Sequence, residues 1–151
     1  MAILSWGKPT VEFTTSTLGV PGTTWTPMPE IVEGTATLET TEGELIEATQ
    51  EGGAVVDSRR KASKYKFSVE LFVKKSDKKP IEDVDGIIAG NYAVRVTPED
   101  PECEGFKFDN SNVSVVETWN AADGKRWKYT FDAIKPASGA LNKPYLAGAT
   151  E

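Results

Sequence analysis

Side chains that commonly carry out catalysis are scarce in this chain. It has no His and a single Cys, Cys103, among 151 residues. Without His there can be no Ser-His or Cys-His nucleophile pair, and the commonest ligand of transition metals is missing. One Cys cannot form an intrachain disulfide or a thiolate zinc cluster, and no cation stands beside Cys103 in the sequence to favour its thiolate. We expect an inert thiol, no bound metal and no cofactor.

Carboxylates are abundant, with 23 Asp and Glu residues. Two of them could lie at the spacing that a glycoside hydrolase needs, but no sequence signature of a sugar cleft accompanies them. The stretch from Asp83 to Gly86 is similar to the start of a calcium loop, yet the remaining ligands are missing at their required spacing. A helix N-terminus explains these acids better, and we expect no enzymatic activity.

Basic and aromatic residues alternate just after residue 58. Arg59, Arg60 and Lys61 could continue through Lys64 and Lys66 as a phosphate-binding stripe, with the nearby aromatic rings stacking on bases. Alternation within a strand, however, places those rings and the lysines on opposite faces. This pattern favours a core strand with a basic outer face, and the net charge of −6 argues against general binding to a polyanion.

Charge is distributed in blocks along the chain. Residues 30–57 hold eight acids and no base, residues 58–79 hold nine bases against two acids, and residues 80–105 hold seven acids against Arg95. Such blocks predict faces of opposite sign on the folded protein. A particle with two such faces can stack on copies of itself.

Strand patterns dominate the sequence. Residues 64–73 alternate apolar and charged positions, and residues 91–97 repeat the pattern. Residues 112–119 and 126–134 predict two more strands, joined by a polar stretch that contains Asp-Gly and therefore indicates a hairpin turn. The fold class predicted is mainly β: an antiparallel β-sandwich or barrel with one short α-helix and extended arms.

A second kind of strand is rich in Thr and Glu. Residues 35–41 and 44–49 carry few large apolar side chains, with Gly43 between them and a second break at residues 52–53 before a short strand at 54–57. We expect 35–41 and 44–49 to form an acidic strand pair. It brings too little apolar area to offset the entropy of its ordering, so it either moves freely in solvent or is ordered by a partner.

The other elements complete one predicted domain over residues 1–151. A short helix is expected at residues 81–88, between Pro80 and Gly90, because its apolar residues recur at helical spacing. Residues 1–30 are expected to form an N-terminal arm and loop, residues 30–135 the β core, and residues 136–151 a tail. The chain starts without a leader pattern and has no apolar run long enough for a membrane span, so we expect no membrane contact.

This order of elements resembles the tail tube proteins of long-tailed bacteriophages and prophages. The stretches that carry the resemblance are residues 90–101, 113–119 and 127–139, and the likeness covers roughly residues 30–140. The family is similar in fold to the tube proteins of type VI secretion and of contractile injection systems. The resemblance implies a protomer that closes into a hexameric ring, with rings stacking into a tube around a lumen lined by β-hairpins.

The resemblance also implies partners and locations. The partners would be further copies of the chain, other tail proteins, and DNA as a cargo that slides without sticking. Assembly would occur in the bacterial cytoplasm, and the final location would be the virion tail. Residues 35–49 would belong to the lumen sheet and residues 81–88 to a helix packed outside it. The lumen candidates are Glu39, Glu42, Glu44, Glu47 and Glu51.

Stacking of rings would use the charge blocks. The basic run would oppose the acids between residues 82 and 104 of the next ring, with four ring-stacking candidates: Lys74, Lys75, Lys78 and Lys79. An alternative function is a monomeric β-sandwich binding module, in which some of the four Trp residues form a platform for a carbohydrate or peptide. Oligomer mass separates the two hypotheses, because a binding module has no reason to form rings.

Overall fold

The computed structural model describes residue 4 and residues 7–146, and this part of the chain consists of strands, turns and loops. Nine strands form one sheet in the order β2-β1-β8-β9-β10-β7-β4, with β3 beside β1 and β11 beside β9, while β5 and β6 form a separate pair. The mainly β, antiparallel prediction is confirmed. The strands are β1 (Thr10–Thr17), β2 (Val20–Pro21), β3 (Thr26–Pro27), β4 (Thr37–Thr41), β5 (Leu45–Thr49), β6 (Val55–Arg60), β7 (Lys64–Phe72), β8 (Asn91–Thr97), β9 (Gly105–Asn120), β10 (Gly124–Ala133) and β11 (Lys143–Tyr145).

The centre of the core lies between β7 and β10. Their apolar residues alternate with polar ones, so each strand presents a single apolar face. In the antiparallel register Phe67 lies opposite Phe131, and Val69 lies opposite Tyr129. All four side chains are buried. The predicted strands at 64–73 and 126–134 are therefore confirmed, and so is the hairpin of β9 with β10.

The long strand β9 connects two parts of the sheet. Its residues 106–111 pair with β8, whereas residues 111–120 pair with β10. Phe106 on β9 contacts Phe67 on β7, with ring centroids 5.3 Å apart, although β10 separates these two strands in the sheet order. The sheet therefore curves, and its apolar face encloses one core.

The helix predicted at residues 81–88 is wrong. Val84 and Ile87 exchange two backbone hydrogen bonds of 2.9 and 3.0 Å, which close a two-residue turn over Asp85 and Gly86. Both turn residues have positive φ, 52° and 84°. Asp-Gly is the preferred pair for such a turn, and this local preference outweighs the helical spacing of the apolar residues. From the predicted apolar face, Ile81 lies in the core and Ile88 packs against it, while Val84 and Ile87 are exposed.

The predicted N-terminal arm includes a strand of the sheet. β1 pairs with β8 along Thr10 to Ser16, and its residues Val11 and Phe13 lie in the core. The two apolar positions among Thr residues form a pattern too short to predict a buried strand. The arm prediction for residues 1–30 is thus wrong over β1. Residues 1–3, 5 and 6 of the predicted arm lie outside the described residues.

The predicted tail, residues 136–151, is anchored to the sheet in its first part. β11 pairs with the start of β9, and the Lys143 ammonium forms an ion pair with the buried Asp109 carboxylate. The Asn110 amide nitrogen donates to the Lys135 carbonyl at 3.1 Å. The β8–β9 pairing shifts at this level, so the two polar residues of β9 face the tail rather than a strand. Residues 147–151 lie outside the described part.

The acidic strand pair is arranged differently from the prediction. β4 pairs with β7, and β5 pairs with β6, so residues 35–41 and 44–49 follow each other along one arm of a longer hairpin. The two pairings share one register, since Thr41 lies opposite Lys64 and Leu45 lies opposite Arg60. Gly43 is no turn: a Cβ there would lie 1.7 Å from the Lys61 carbonyl oxygen. The glycine permits the two arms to approach closely.

Candidate functional site

The far half of this hairpin leaves the sheet and is the candidate site. We call β5, β6 and their connecting turn (residues 50–54) the ribbon. Every residue of β6 is exposed, and in β5 only Ile46 is partly covered. The six residues of β6 extend over about 20 Å. A two-stranded hairpin is marginally stable in water by itself, so covering this surface by a partner would stabilise it.

Both outer edges of the ribbon are open. β5 and β6 pair only with each other among the described residues. Each outer edge therefore presents backbone N–H and C=O groups with no strand partner, which is a template for pairing with another chain. Leu45, Val55 and Val56 add exposed apolar area to these two strands. Edge groups and apolar side chains together favour a protein partner.

The ribbon ends in a glycine turn. Gly52 and Gly53 have φ values of 93° and 96°, which glycine adopts without strain. The register of β5 with β6 shifts between Ala48 and Thr49, just before this turn. Such a bulge twists the strands locally and ends regular pairing. The edges are consequently most regular at the base of the ribbon.

The five predicted lumen acids all lie on one arm of the hairpin. Glu39 is on β4, Glu42 and Glu44 connect β4 to β5, Glu47 is on β5, and Glu51 is in the end turn. The structure thus brings them together along one line.

The acids of this arm face bases on the other arm. Arg60 forms an ion pair with Glu42 at 2.9 Å, and Lys61 forms one with Glu44 at 3.3 Å. All four side chains remain well exposed to solvent, so each pair contributes at most about 1 kcal/mol to stability. The sequence pattern could not reveal this pairing, because the expected partner of residues 44–49 was 35–41.

The four predicted stacking lysines differ in their surroundings. Lys74 forms an ion pair with Glu30 at 2.5 Å, and Lys79 forms one with Asp83 at 2.6 Å. Lys75 and Lys78 are exposed, and neither forms an ion pair within the described part of the chain. The structure therefore leaves two of the four available to another copy.

Asp83 organises a polar cluster beside the Asp85–Gly86 turn. Its carboxylate accepts hydrogen bonds from the Lys79 ammonium and, at 2.7 Å, from the Gly86 N–H. These two bonds lower the pKa of Asp83, and the hydrogen bond between Lys79 and Asp83 raises the pKa of Lys79. The Asp83 carboxylate is thus engaged by the Lys79 ammonium and a backbone N–H. The residues that the structure describes contain no group of three or more Cys, Asp or Glu able to hold a metal ion.

Nearby, Glu117 accepts a hydrogen bond from the Trp127 indole N–H at 3.1 Å and forms an ion pair with Lys125 at 3.1 Å. Both contacts lower the pKa of Glu117, the indole bond having the larger effect. This carboxylate is ionised and held by its neighbours. It is therefore unsuited to donate a proton as a hydrolase acid would.

An apolar groove of about 810 Å³ opens at one end of the core. Its lining includes the apolar side chains of Ile31, Leu38, Phe67, Val96 and Phe106. Phe67 and Val96 belong to the core, and Ile31, Leu38 and Phe106 pack against it, so the groove is an open end of the core.

The described tryptophans do not share one surface environment. Trp127 is buried in the core, and the half-buried Trp25 ring lies against the Arg95 guanidinium, whose carbon is 4.3 Å from the ring centroid. Trp119, at the end of β9, is 70% exposed. Trp6 lies outside the described residues. A single exposed ring offers little area to a carbohydrate or peptide.

The predicted basic outer face of β7 is confirmed: Phe67 and Val69 are buried, while Lys64 and Lys66 are exposed. Within the described residues, no helix is long and apolar enough to cross a membrane. The chain matches no protein-family model and no curated protein. Its function therefore has to be inferred from the arrangement described above.

Proposed function

We propose that this protein is a structural, self-assembling ring and tube protein of a phage or prophage tail. The observation that carries the proposal is the ribbon, a projecting strand pair with exposed faces and two open edges. A strand pair of this kind is stabilised when another chain covers its edges. Further copies of the same chain are the partners that a repeating assembly supplies.

In this proposal the curved sheet is the β-sandwich or barrel body of a protomer, and the ribbons of neighbouring copies line the lumen. Assembly occurs in the bacterial cytoplasm, and the finished tube belongs to the virion, where it contacts other tail proteins. The resemblance of residues 30–140 to tail tube proteins supports this assignment, and so does the lack of clustered catalytic groups in the described site. No membrane is involved.

The number of strands limits how six copies could enclose DNA. Two strands from each copy would give about 12 in total, between the 8 strands of a filled barrel and the 16–18 strands of a barrel with an open channel. β4 and β7 continue the two arms of the ribbon in the same register, so they lengthen these strands without adding to their number. We therefore propose that β4 and β7 extend the lumen wall beyond the ribbon.

DNA would pass such a lumen without strong attachment. The ribbon and its base, residues 42–61, carry five acids and three bases. Two of these three bases, Arg60 and Lys61, form ion pairs with Glu42 and Glu44 of the opposite arm. A surface with surplus acid and neutralised bases repels phosphates.

Oligomeric mass and shape test the proposal. We expect the purified chain, 16.4 kDa as a monomer, to form rings or tubes visible by negative-stain microscopy, with a matching mass by light scattering. The control variant lacks the ribbon: residues 42–63 are replaced by Asn-Gly, which joins Thr41 to Lys64, two residues that lie opposite each other.

The control should stay monomeric with an unchanged near-ultraviolet signal from Trp127. A parent chain that remains monomeric at every concentration would refute the proposal. A control that assembles as well as the parent would show that the ribbon is not the contact.

A further inference from the structure

We infer that copies of this chain join head to tail, with the outer edge of β5 in one copy pairing with the outer edge of β6 in the next. This inference rests on the proposed function and specifies its contact. It follows from three properties of the ribbon: the charge of each edge, the direction of each strand, and the apolar side chains that an edge contact would cover.

The two edges carry opposite charge. The β5 arm has Glu42, Glu44 and Glu47 and no base, while the β6 arm has three bases at its end, Arg59, Arg60 and Lys61, against one acid, Asp57. Pairing β5 with β5 would bring acid against acid, and pairing β6 with β6 would bring base against base. Like charges directly opposite each other destabilise a strand pair, whereas opposite charges stabilise it. Only the β5-to-β6 contact is complementary on both sides of every copy.

Strand direction is consistent with this contact. In a ring, rotation about the axis leaves all β5 strands pointing one way and all β6 strands pointing the other way, because β5 and β6 are antiparallel within a copy. A β6 strand beside the neighbour's β5 is then also antiparallel. The result is one continuous antiparallel wall, and a contact of this heterologous kind closes into a ring if its rotation permits.

Apolar side chains near the edges add a hydrophobic contribution to the contact. Leu45 on β5 and Val55 and Val56 on β6 are exposed in the single chain. Pairing of neighbouring ribbons would place these side chains next to the adjacent strand and remove part of their area from water. The register shift opposite Ala48–Thr49 leaves Val56 as the extra residue of β6, so the bulge disturbs the β6 edge near the turn and pairing begins at the base of the ribbon.

A charge-swapped chain provides the test. Its six substitutions are E42K, E44K, E47K, R59E, R60E and K61E, which exchange the charges of the two arms. The intrachain pairs Glu42–Arg60 and Glu44–Lys61 keep their opposite signs with the arms exchanged, and the net charge stays the same. The swapped chain therefore keeps the ribbon's internal pairing and should assemble with itself.

Mixing the swapped chain with the parent distinguishes the contacts. Head-to-tail pairing puts acid against acid or base against base at every mixed contact, so each chain should assemble with its own kind. Native mass spectrometry should find mixed rings at least about tenfold below random mixing. Pairing of like edges predicts the reverse, because acidic β5 of the parent would then meet basic β5 of the swapped chain. Mixed rings in excess would overturn the inference and leave the proposed function standing.

Cross-linking gives a second test, in which the basic side chains of the ribbon stay unchanged. In a Cys103→Ser background, one copy carries E47C and the other carries S58C, and a mild oxidant is added, because a disulfide joins only cysteines whose Cα atoms lie within about 7 Å of each other. We expect cross-linked dimers in the mixture and not in either variant alone. Dimers formed by one variant alone would overturn the inference. A parent chain that forms no rings would overturn the proposed function and the inference together.

Discussion

Tyr129 connects the core to the segment before the Asp85–Gly86 turn. Its buried hydroxyl donates to the Ile81 carbonyl at 2.7 Å, and the Ile81 N–H contacts the same oxygen at 3.4 Å. Tyr129→Phe would leave both backbone groups unpaired inside the protein. We expect a loss of about 1 to 3 kcal/mol in the free energy of unfolding at pH 7, measured by urea denaturation. Tyr65→Phe is the control, since its hydroxyl has no hydrogen bond within the described residues.

Alkaline pH should reduce the stability difference between Tyr129→Phe and the parent. Burial raises the pKa of Tyr129 to about 12, whereas the unfolded chain has a value of about 10. Above pH 10 the unfolded state loses this proton first, so the contribution of Tyr129 is full below pH 10 and declines as pH rises toward 12. The difference between the parent and Tyr129→Phe should shrink between pH 7 and pH 11. A constant difference would show that the hydroxyl titrates alike in both states.

Asp83 should give the opposite dependence on pH. Its hydrogen bonds with Lys79 and Gly86 lower its pKa in the folded state, so its contribution is present above about pH 4 and is lost as pH falls through the folded value. Asp83→Asn should cost about 1 kcal/mol at pH 7, because the pair is partly screened by solvent. The deficit should vanish in acid. Asp85→Asn is the control, since Asn also tolerates the positive φ of that turn.

Among the elements, the strands with strict alternation and the hairpin of β9 with β10 could be predicted from the sequence. Residues 64–73 and 126–134 alternate apolar and polar side chains over many positions, and packing of one face fixes the result. The segment at 81–88 could not be predicted by spacing alone. Ile81, Val84 and Ile87 fit a helix, but the Asp-Gly pair between them has a stronger preference for a hairpin turn.

Pairing between strands was harder to predict than the strands themselves. The sequence of residues 35–41 does not reveal whether they pair with β7 or with residues 44–49. Either pairing is possible, because short polar strands lack the apolar pattern that fixes a partner and a register. The position of Gly43 favoured a turn, yet this glycine accommodates the close Lys61 carbonyl. The five lumen candidates therefore lie along one arm and its end turn, and not on both strands of the predicted pair, and the bases opposite them were missed.

The ribbon should be the least protected element in the single chain. The Thr- and Glu-rich composition predicts low protection from hydrogen exchange over residues 35–53. Because β4 pairs with β7, we expect low protection only in the exposed strands β5 and β6. Hydrogen exchange of dilute monomer should be fast over residues 45–60, since few buried contacts resist its opening. In assembled rings the same amides should become protected. Strong, equal protection in both states would mean that the ribbon is stable without a partner.

On the scale of the whole molecule, charge is separated into regions that serve different contacts. The ribbon carries acids and bases on its two arms, while residues 74–79 of the loop after β7 carry four lysines and one acid, Asp77. Contacts within a ring through strand edges involve many backbone hydrogen bonds and apolar side chains. Contacts between rings through exposed charges are individually weak and screened by salt. The two levels of assembly should therefore respond differently to ionic strength.

Ring stacking should depend on the two lysines of this loop that the chain does not use itself. Reversing all four lysines together should give free rings, but it would also break the Lys74–Glu30 and Lys79–Asp83 pairs within each copy. The sharper variant is K75E with K78E, which leaves both pairs intact. We expect short tubes or single rings by negative-stain microscopy, because several weak contacts per ring are lost at once. The control, K128E with K135E, changes the net charge equally at exposed sites on β10 and after it and should keep tubes of parental length.

Added salt should shorten parent tubes while rings survive. Tubes of K75E/K78E as long as those of the parent at every salt concentration would show that this loop is a solvated turn and that stacking uses another surface.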